Sequence, residues 1–426
     1  MTAVSAPPSA EPLRPPDTPQ RPPIVLSRRK RILFSAILTV VVLVVLELIA
    51  GLYLRVSRGY DGEHLYEFEF DPYKNILPAR NFVDTRGVQH NSVGFRRTGE
   101  VSKTKPANTY RIFLMGGSTA YGTGGLWPHL QRDFAVIKNT ETIDAYLERV
   151  LGEALPGRKI EVINAAITST WTHHHLIYLN QTILGYDPDM VLFLDGYNDF
   201  FHATPDHDQF GSFLYTTQAS GILGEPTLGA LARANAWWFY RRSALAYVTI
   251  RSLRTLKLVV TSPFIERNRA PMNVDRAMAN LEQVFPRSAL SMQRRMALIL
   301  RDAGVIPVFM LQPMLILERG HKPMPDMEQR LFAFNVESYL PNYEEFIRRA
   351  VAMVNERETA MASELGAQFI DLTGIYAGVE EQIYTDYVHL TPRGNELLAR
   401  HVADKLLPVI RQDAQLACAS EQGNGC

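Results

Sequence analysis

Three short stretches of this sequence carry residue types suited to acyl-transfer chemistry. The first is Gly116-Gly117-Ser118-Thr119-Ala120-Tyr121-Gly122. Two glycines let the backbone turn sharply and leave room around the serine. A serine so placed has an exposed hydroxyl, and its own N–H points toward a developing oxyanion. Taken alone, the stretch reads first as a glycine-rich turn that caps a helix. A phosphate loop would need the Walker lysine, which is missing. The Gly-x-Ser-x-Gly elbow does not fit either, because Ala120 stands in its last position.

The second stretch is Asp195-Gly196-Tyr197-Asn198-Asp199. The Asn198 amide can donate to an oxyanion, an interaction worth roughly 3 kcal/mol in a transition state. It can equally close an Asx turn on the local backbone. The third is Asp386-Tyr387-Val388-His389-Leu390-Thr391-Pro392. Thr391 and Pro392 suit the cap and first residue of a helix, expected to run through about Leu407. Asp386 and His389 then lie in the loop before it and can turn toward one point. Histidine is the natural base for a serine hydroxyl, and a carboxylate can fix its tautomer. The plainer alternative is a capping aspartate beside a surface histidine.

These stretches are placed by a repeating pattern of elements. Short β-rich apolar runs occupy Arg111–Met115, Lys159–Ile163, Met190–Leu194, Val305–Leu311 and Gln368–Leu372. Helical stretches separate most of them, at Thr142–Leu151, Leu176–Leu184, Leu290–Arg301 and Tyr343–Leu365. Alternating strands and helices predict a parallel sheet covered on both faces, with ligands beyond the carboxyl ends of the strands. The serine follows the first strand, the asparagine the third, and the Asp-x-x-His precedes the last helix.

In that order the chain resembles the SGNH/GDSL hydrolase superfamily. GGST at 116–119, GYND at 196–199 and DYVH at 386–389 match its first, third and fifth blocks. The resemblance covers about residues 110–410, less an insertion. It implies an α/β fold of the flavodoxin-like three-layer αβα kind. It also implies a Ser118 nucleophile, a His389 base oriented by Asp386, and an oxyanion hole containing Ser118 and Asn198. Gly117 stands where the family name has aspartate. The glycine of the second block is replaced: Asn164 is followed by AAITSTW, and Ser169 aligns with that glycine. Its N–H survives as an oxyanion donor, but Ser169 would be strained if the position needs positive φ.

The N-terminal part has another character. Residues 1–31 form a proline-rich, basic tail expected to be disordered. Ile32–Leu54 is a run of 23 residues whose one charged member is Glu47. At about 1.5 Å per residue such a helix spans a bilayer. A signal peptide would have a shorter apolar run and a small-residue cleavage site. Six cations precede the run, and Arg55 and Arg58 follow it, so the larger part should be extracytoplasmic. Residues 55–108 read as an irregular linker. Residues 109–412 read as the hydrolase-like domain, with a helical insertion at about 200–287, and 413–426 as a flexible tail holding Cys418 and Cys426.

Net charge is zero, which gives no field for nucleic acid. No cysteine or histidine spacing suits a structural metal, and no cofactor is implied. His173-His174-His175 cannot share one helix face, so the run reads as a polar helix start at the site rim. Asp206-His207-Asp208 reads as a solvated loop. Residues 226–265 carry six cations and no acids among Trp237, Trp238, Phe239 and Tyr240. That stretch suits a membrane surface, a glycan groove or a lid, or else an ordinary helical subdomain.

The function read from these features is a membrane-anchored, extracytoplasmic serine esterase or O-acyltransferase. Its substrate is an ester, with O-acyl groups of an envelope glycan as the candidate. The alternative is an inactive scaffold of the same fold that binds glycan or a membrane partner. A reporter fused after residue 60 tests the topology. A periplasm-dependent reporter should be active there, and strong activity of a cytoplasm-only reporter would contradict export.

Overall fold

The structure is a computed structural model. It describes residues 27–60, 65–71, 75–125, 133, 134, 136–202, 242–255, 273–338 and 342–420. The tail 1–26, Asp206-His207-Asp208, most of the basic aromatic stretch and Cys426 lie outside the described residues. Two compact units emerge, Met1–Ile49 and Ala50–Cys426. Helix α1, Arg28–Arg58, is long and apolar enough to cross a membrane; its richest window has a mean hydropathy of 3.0. By length and composition it is a candidate membrane span or signal sequence.

The larger unit is built on five parallel strands: β5 (Thr109–Gly116), β6 (Lys159–Asn164), β7 (Met190–Asp195), β8 (Ile306–Leu311) and β9 (Gln368–Asp371). Their order across the sheet is β6-β5-β7-β8-β9. Successive side chains alternate between faces. Ile112, Leu114, Leu192 and Met310 enter one core with α3 (Ile143–Ala154) and α11 (Pro392–Ser420). Phe113, Met115, Phe193 and Phe309 enter the other with α4 (Thr172–Gln181) and α8 (Ala289–Asp302). A sheet buried on both faces needs the near-continuous apolar strands seen in the sequence. The expected strands and helices are present with small shifts of their ends, and the three-layer α/β fold is as expected.

Two local expectations need correction. The last helix does not stop near Leu407 but runs through Pro408 to Ser420. Proline costs a helix one hydrogen bond and a clash. Leu406 and Ile410, buried on either side of it, hold the helix to the core. Segment 55–108 is more than an irregular connection. It folds into two antiparallel pairs, β1 (Phe68–Asp71) with β2 (Asn75–Pro78) and β3 (Val83–Asp84) with β4 (Val88–Gln89). Strands of two to four residues are too short to show a period. The Asn91 side chain accepts the N–H groups of Val93, Gly94 and Phe95, which sets the turn that buries Phe95 and Arg96.

Beyond β8, helices α9 (Asp326–Ser338) and α10 (Tyr343–Leu365) complete one side. A buried ion pair joins Lys322 Nζ to Glu328 Oε2 at 2.5 Å, with both side chains fully buried. Glu328 Oε1 accepts the N–H groups of Ile383 and Tyr384, at 2.6 and 2.9 Å. Removing one member of such a pair strands a buried charge. Lys322→Met should lower the unfolding free energy by about 3–5 kcal/mol in urea denaturation. An unchanged midpoint would show that the pair contributes nothing to stability.

Candidate active site

Strand order reverses at β5, whose neighbours β6 and β7 wind away to either side. A crevice opens at such a switch point, beyond the carboxyl ends of the strands. Ser118, Ser169, Asn198 and His389 all line one cavity there, of about 430 Å³.

Ser118 is the first residue of the short helix α2 (Ser118–Tyr121). Gly116 has φ +149°, and a Cβ on it would overlap the Leu194 carbonyl. A Cβ on Gly117 would lie 2.8 Å from Asn198 Nδ2. The glycine at the family's aspartate position therefore gives the amide its place over the nucleophile turn. Asn164, ending β6, donates to Ala120 O at 3.1 Å and to Asp144 Oδ1 at 2.7 Å. Burial pushes the Asp144 carboxyl up to about 6, and the Asn164 amide holds the rise back.

Ser169 has φ +57°, the left-handed region. This is the conformation in which a glycine would be at ease, and the serine bears its strain. The next residue, Thr170, is held on two sides. Its carbonyl accepts Asn198 Nδ2 at 2.7 Å. Its hydroxyl donates to Ile167 O at 2.7 Å and meets His175 Nε2 at 3.1 Å. His175 lies in the first turn of α4, as expected, but it is buried rather than on the rim, with Nδ1 3.0 Å from Asp195 Oδ2. Burial disfavours charge on this ring, but Asp195 outweighs it and raises the His175 pKa. The sequence carried no sign of this pair, because its members come from separate elements.

Asp386 and His389 form the second buried pair. His389 Nδ1 lies 2.7 Å from Asp386 Oδ2. Asp386 Oδ1 accepts the N–H groups of Val388 and His389, at 3.0 and 2.9 Å. Burial alone would raise the Asp386 pKa; the facing imidazole and these donors lower it. An ionised Asp386 keeps the proton on Nδ1 and leaves Nε2 as a base. His389 Nε2 is buried and makes no hydrogen bond among the described residues. Thr119 Oγ1 donates to Val388 O at 3.3 Å, which ties the helix of Ser118 to the loop of His389.

Ser118, the imidazole of His389 oriented by Asp386, Ser169 and Asn198 thus line one cavity. Such a group can carry out acyl transfer. Glu67, Phe68, Arg86 and Arg96 also line the cavity; none was singled out in the sequence.

The family model for GDSL-like lipases/acylhydrolases matches residues 114–397. Among solved structures, a catalytic mutant of Axe2, an acetylxylan esterase from Geobacillus stearothermophilus, is 14% identical. The match covers 70% of this chain and 94% of that one, with a TM-score of 0.34. A lipase/acylhydrolase from Enterococcus faecalis is 17% identical over 70% of this chain and 95% of that one, with a TM-score of 0.32. No curated protein matches.

Ser169→Gly relieves the left-handed serine but frees the unfolded chain. The first effect is about 1–2 kcal/mol and the second about half of that. The substitution should stabilise the protein by about 0.5–1 kcal/mol and keep the N–H donor. A lower melting temperature would show that the serine side chain earns its place by contacts instead.

Proposed function

The chain belongs to the GDSL-like lipase/acylhydrolase family, and on that premise we propose that it hydrolyses esters through an acyl-enzyme on Ser118. It is an ester-hydrolysing enzyme by family. The residue roles rest on one observation above all. His389, its Nδ1 held by the buried Asp386, lines the cavity that Ser118, Ser169 and Asn198 also line.

In this reading His389 Nε2 takes the Ser118 proton as Oγ attacks the ester carbonyl carbon. The oxyanion is met by the N–H groups of Ser118 and Ser169 and by Asn198 Nδ2. One hydrogen of that amide already goes to Thr170 O, which fixes the amide plane and leaves the other for the oxyanion. Collapse breaks the bond to the alcohol, which leaves with the proton from His389. Water, deprotonated by His389, then attacks the acyl-serine and releases the acid. An alcohol entering in place of water would make the same site an O-acyltransferase.

The apolar helix and the excess of cations before it support membrane anchoring with the catalytic unit outside the cytoplasm. Envelope glycans bearing O-acyl groups are the substrates that this compartment offers.

Ser118→Ala should abolish both ester hydrolysis and labelling by a fluorophosphonate probe. Asn198→Ala should lower kcat by about 10²–10³-fold, with the label still on Ser118. Wild-type turnover in Ser118→Ala would overturn the mechanism.

A further inference from the structure

A second polar chain runs into the same cavity from segment 55–108. His90 Nδ1 lies 2.9 Å from Ala79 O. His90 Nε2 lies 2.7 Å from the Tyr121 hydroxyl. That hydroxyl lies 2.5 Å from Glu67 Oε1, and Glu67 lines the cavity. His90 is 4% exposed.

Counting hydrogens constrains this chain. A carbonyl only accepts, so His90 Nδ1 must donate to Ala79 O. Tyr121 has one hydrogen. It goes to Glu67 Oε1, so the Tyr121 oxygen turns its lone pairs toward His90.

Burial, with Glu67 beside it, raises the Tyr121 pKa well above its ordinary value, so the phenol keeps its hydrogen. Among the described residues, two cations also face the chain. The Arg96 guanidinium sits 4.5 Å over the Tyr121 ring, and Arg86 interacts electrostatically with Glu67 while bound to Asp84. Arg86 lines the cavity beside Glu67, and His389 lines it too. A carboxylate that accepts and a guanidinium that donates suit hydroxyl groups, which do both.

We propose that Glu67, held by the Tyr121 hydroxyl, binds hydroxyls on the alcohol part of the ester. The substrate class is then an ester of a polyol or sugar. This assignment rests on Ser118 being the nucleophile of the cavity.

The test compares kcat/KM on a monoacetylated methyl glucoside with that on para-nitrophenyl acetate at one pH. The ratio of the two cancels any change at Ser118 and His389, which serve both substrates. In Glu67→Gln a neutral amide replaces the carboxylate, and the ratio should be lower by roughly tenfold or more. In His90→Gln the amide donates to Tyr121 and the phenol still donates to Glu67, so the ratio should stay near the wild-type value. A wild-type ratio in Glu67→Gln would overturn the proposal. Ser118→Ala is measured beside them. If it still hydrolyses either ester, the nucleophile assignment fails, and that result is separate from any outcome at Glu67.

Discussion

The bond from His389 Nδ1 to Asp386 Oδ2 sets a carboxylate wholly inside the protein, and much of the polar interior serves to keep it ionised there. An isolated buried carboxylate would take up a proton. Asp386 does not, because two backbone N–H groups and an imidazole surround it. That demands a loop of fixed shape. Thr385 N donates to His389 O at 2.8 Å, and Thr391 N to Ile383 O at 2.7 Å. Glu328 grips the loop at Ile383 and Tyr384, and Lys322 neutralises Glu328 in turn. The charge at the site is thus balanced by a succession of buried partners that ends about one helix away.

The opposite wall of the cavity follows similar logic with backbone in place of charge. In the turn after β6, Ser169 takes a left-handed conformation. Thr170 holds that strain from both sides, through Asn198 and through the buried His175–Asp195 pair. Strain of this kind persists only where the surroundings fix it. Here they are the loop after β7 and the start of α4, so both flanks of the switch point brace the same turn.

The sheet, and the three stretches that meet at one cavity, were legible in the sequence because both are local signals. Strands buried on two faces read as apolar runs, and glycines beside Ser118 and the Asp386-x-x-His389 spacing are visible without any partner. What stayed hidden was pairing across distance. His175 looked like one of three polar histidines, yet its partner Asp195 ends a different strand. Lys322 and Glu328 gave no sign of being buried. Segment 55–108 read as a connection because its strands are too short for periodicity, while Arg96 reaches Tyr121 O and Gly122 O at 2.9 Å, behind the nucleophile helix. The basic aromatic stretch near Trp237 lies largely outside the described residues.

The central claim is that one cavity holds the nucleophile, its base and a three-donor oxyanion hole. A crystal structure of the protein after reaction with a phosphonate ester reads that arrangement directly, because the phosphonyl oxygen stands where the ester oxyanion would. The account predicts phosphorus on Ser118 Oγ and that oxygen within hydrogen-bond distance of Ser118 N, Ser169 N and Asn198 Nδ2. Phosphorus on another residue, or an oxygen turned away from Ser169 and Asn198, would contradict it.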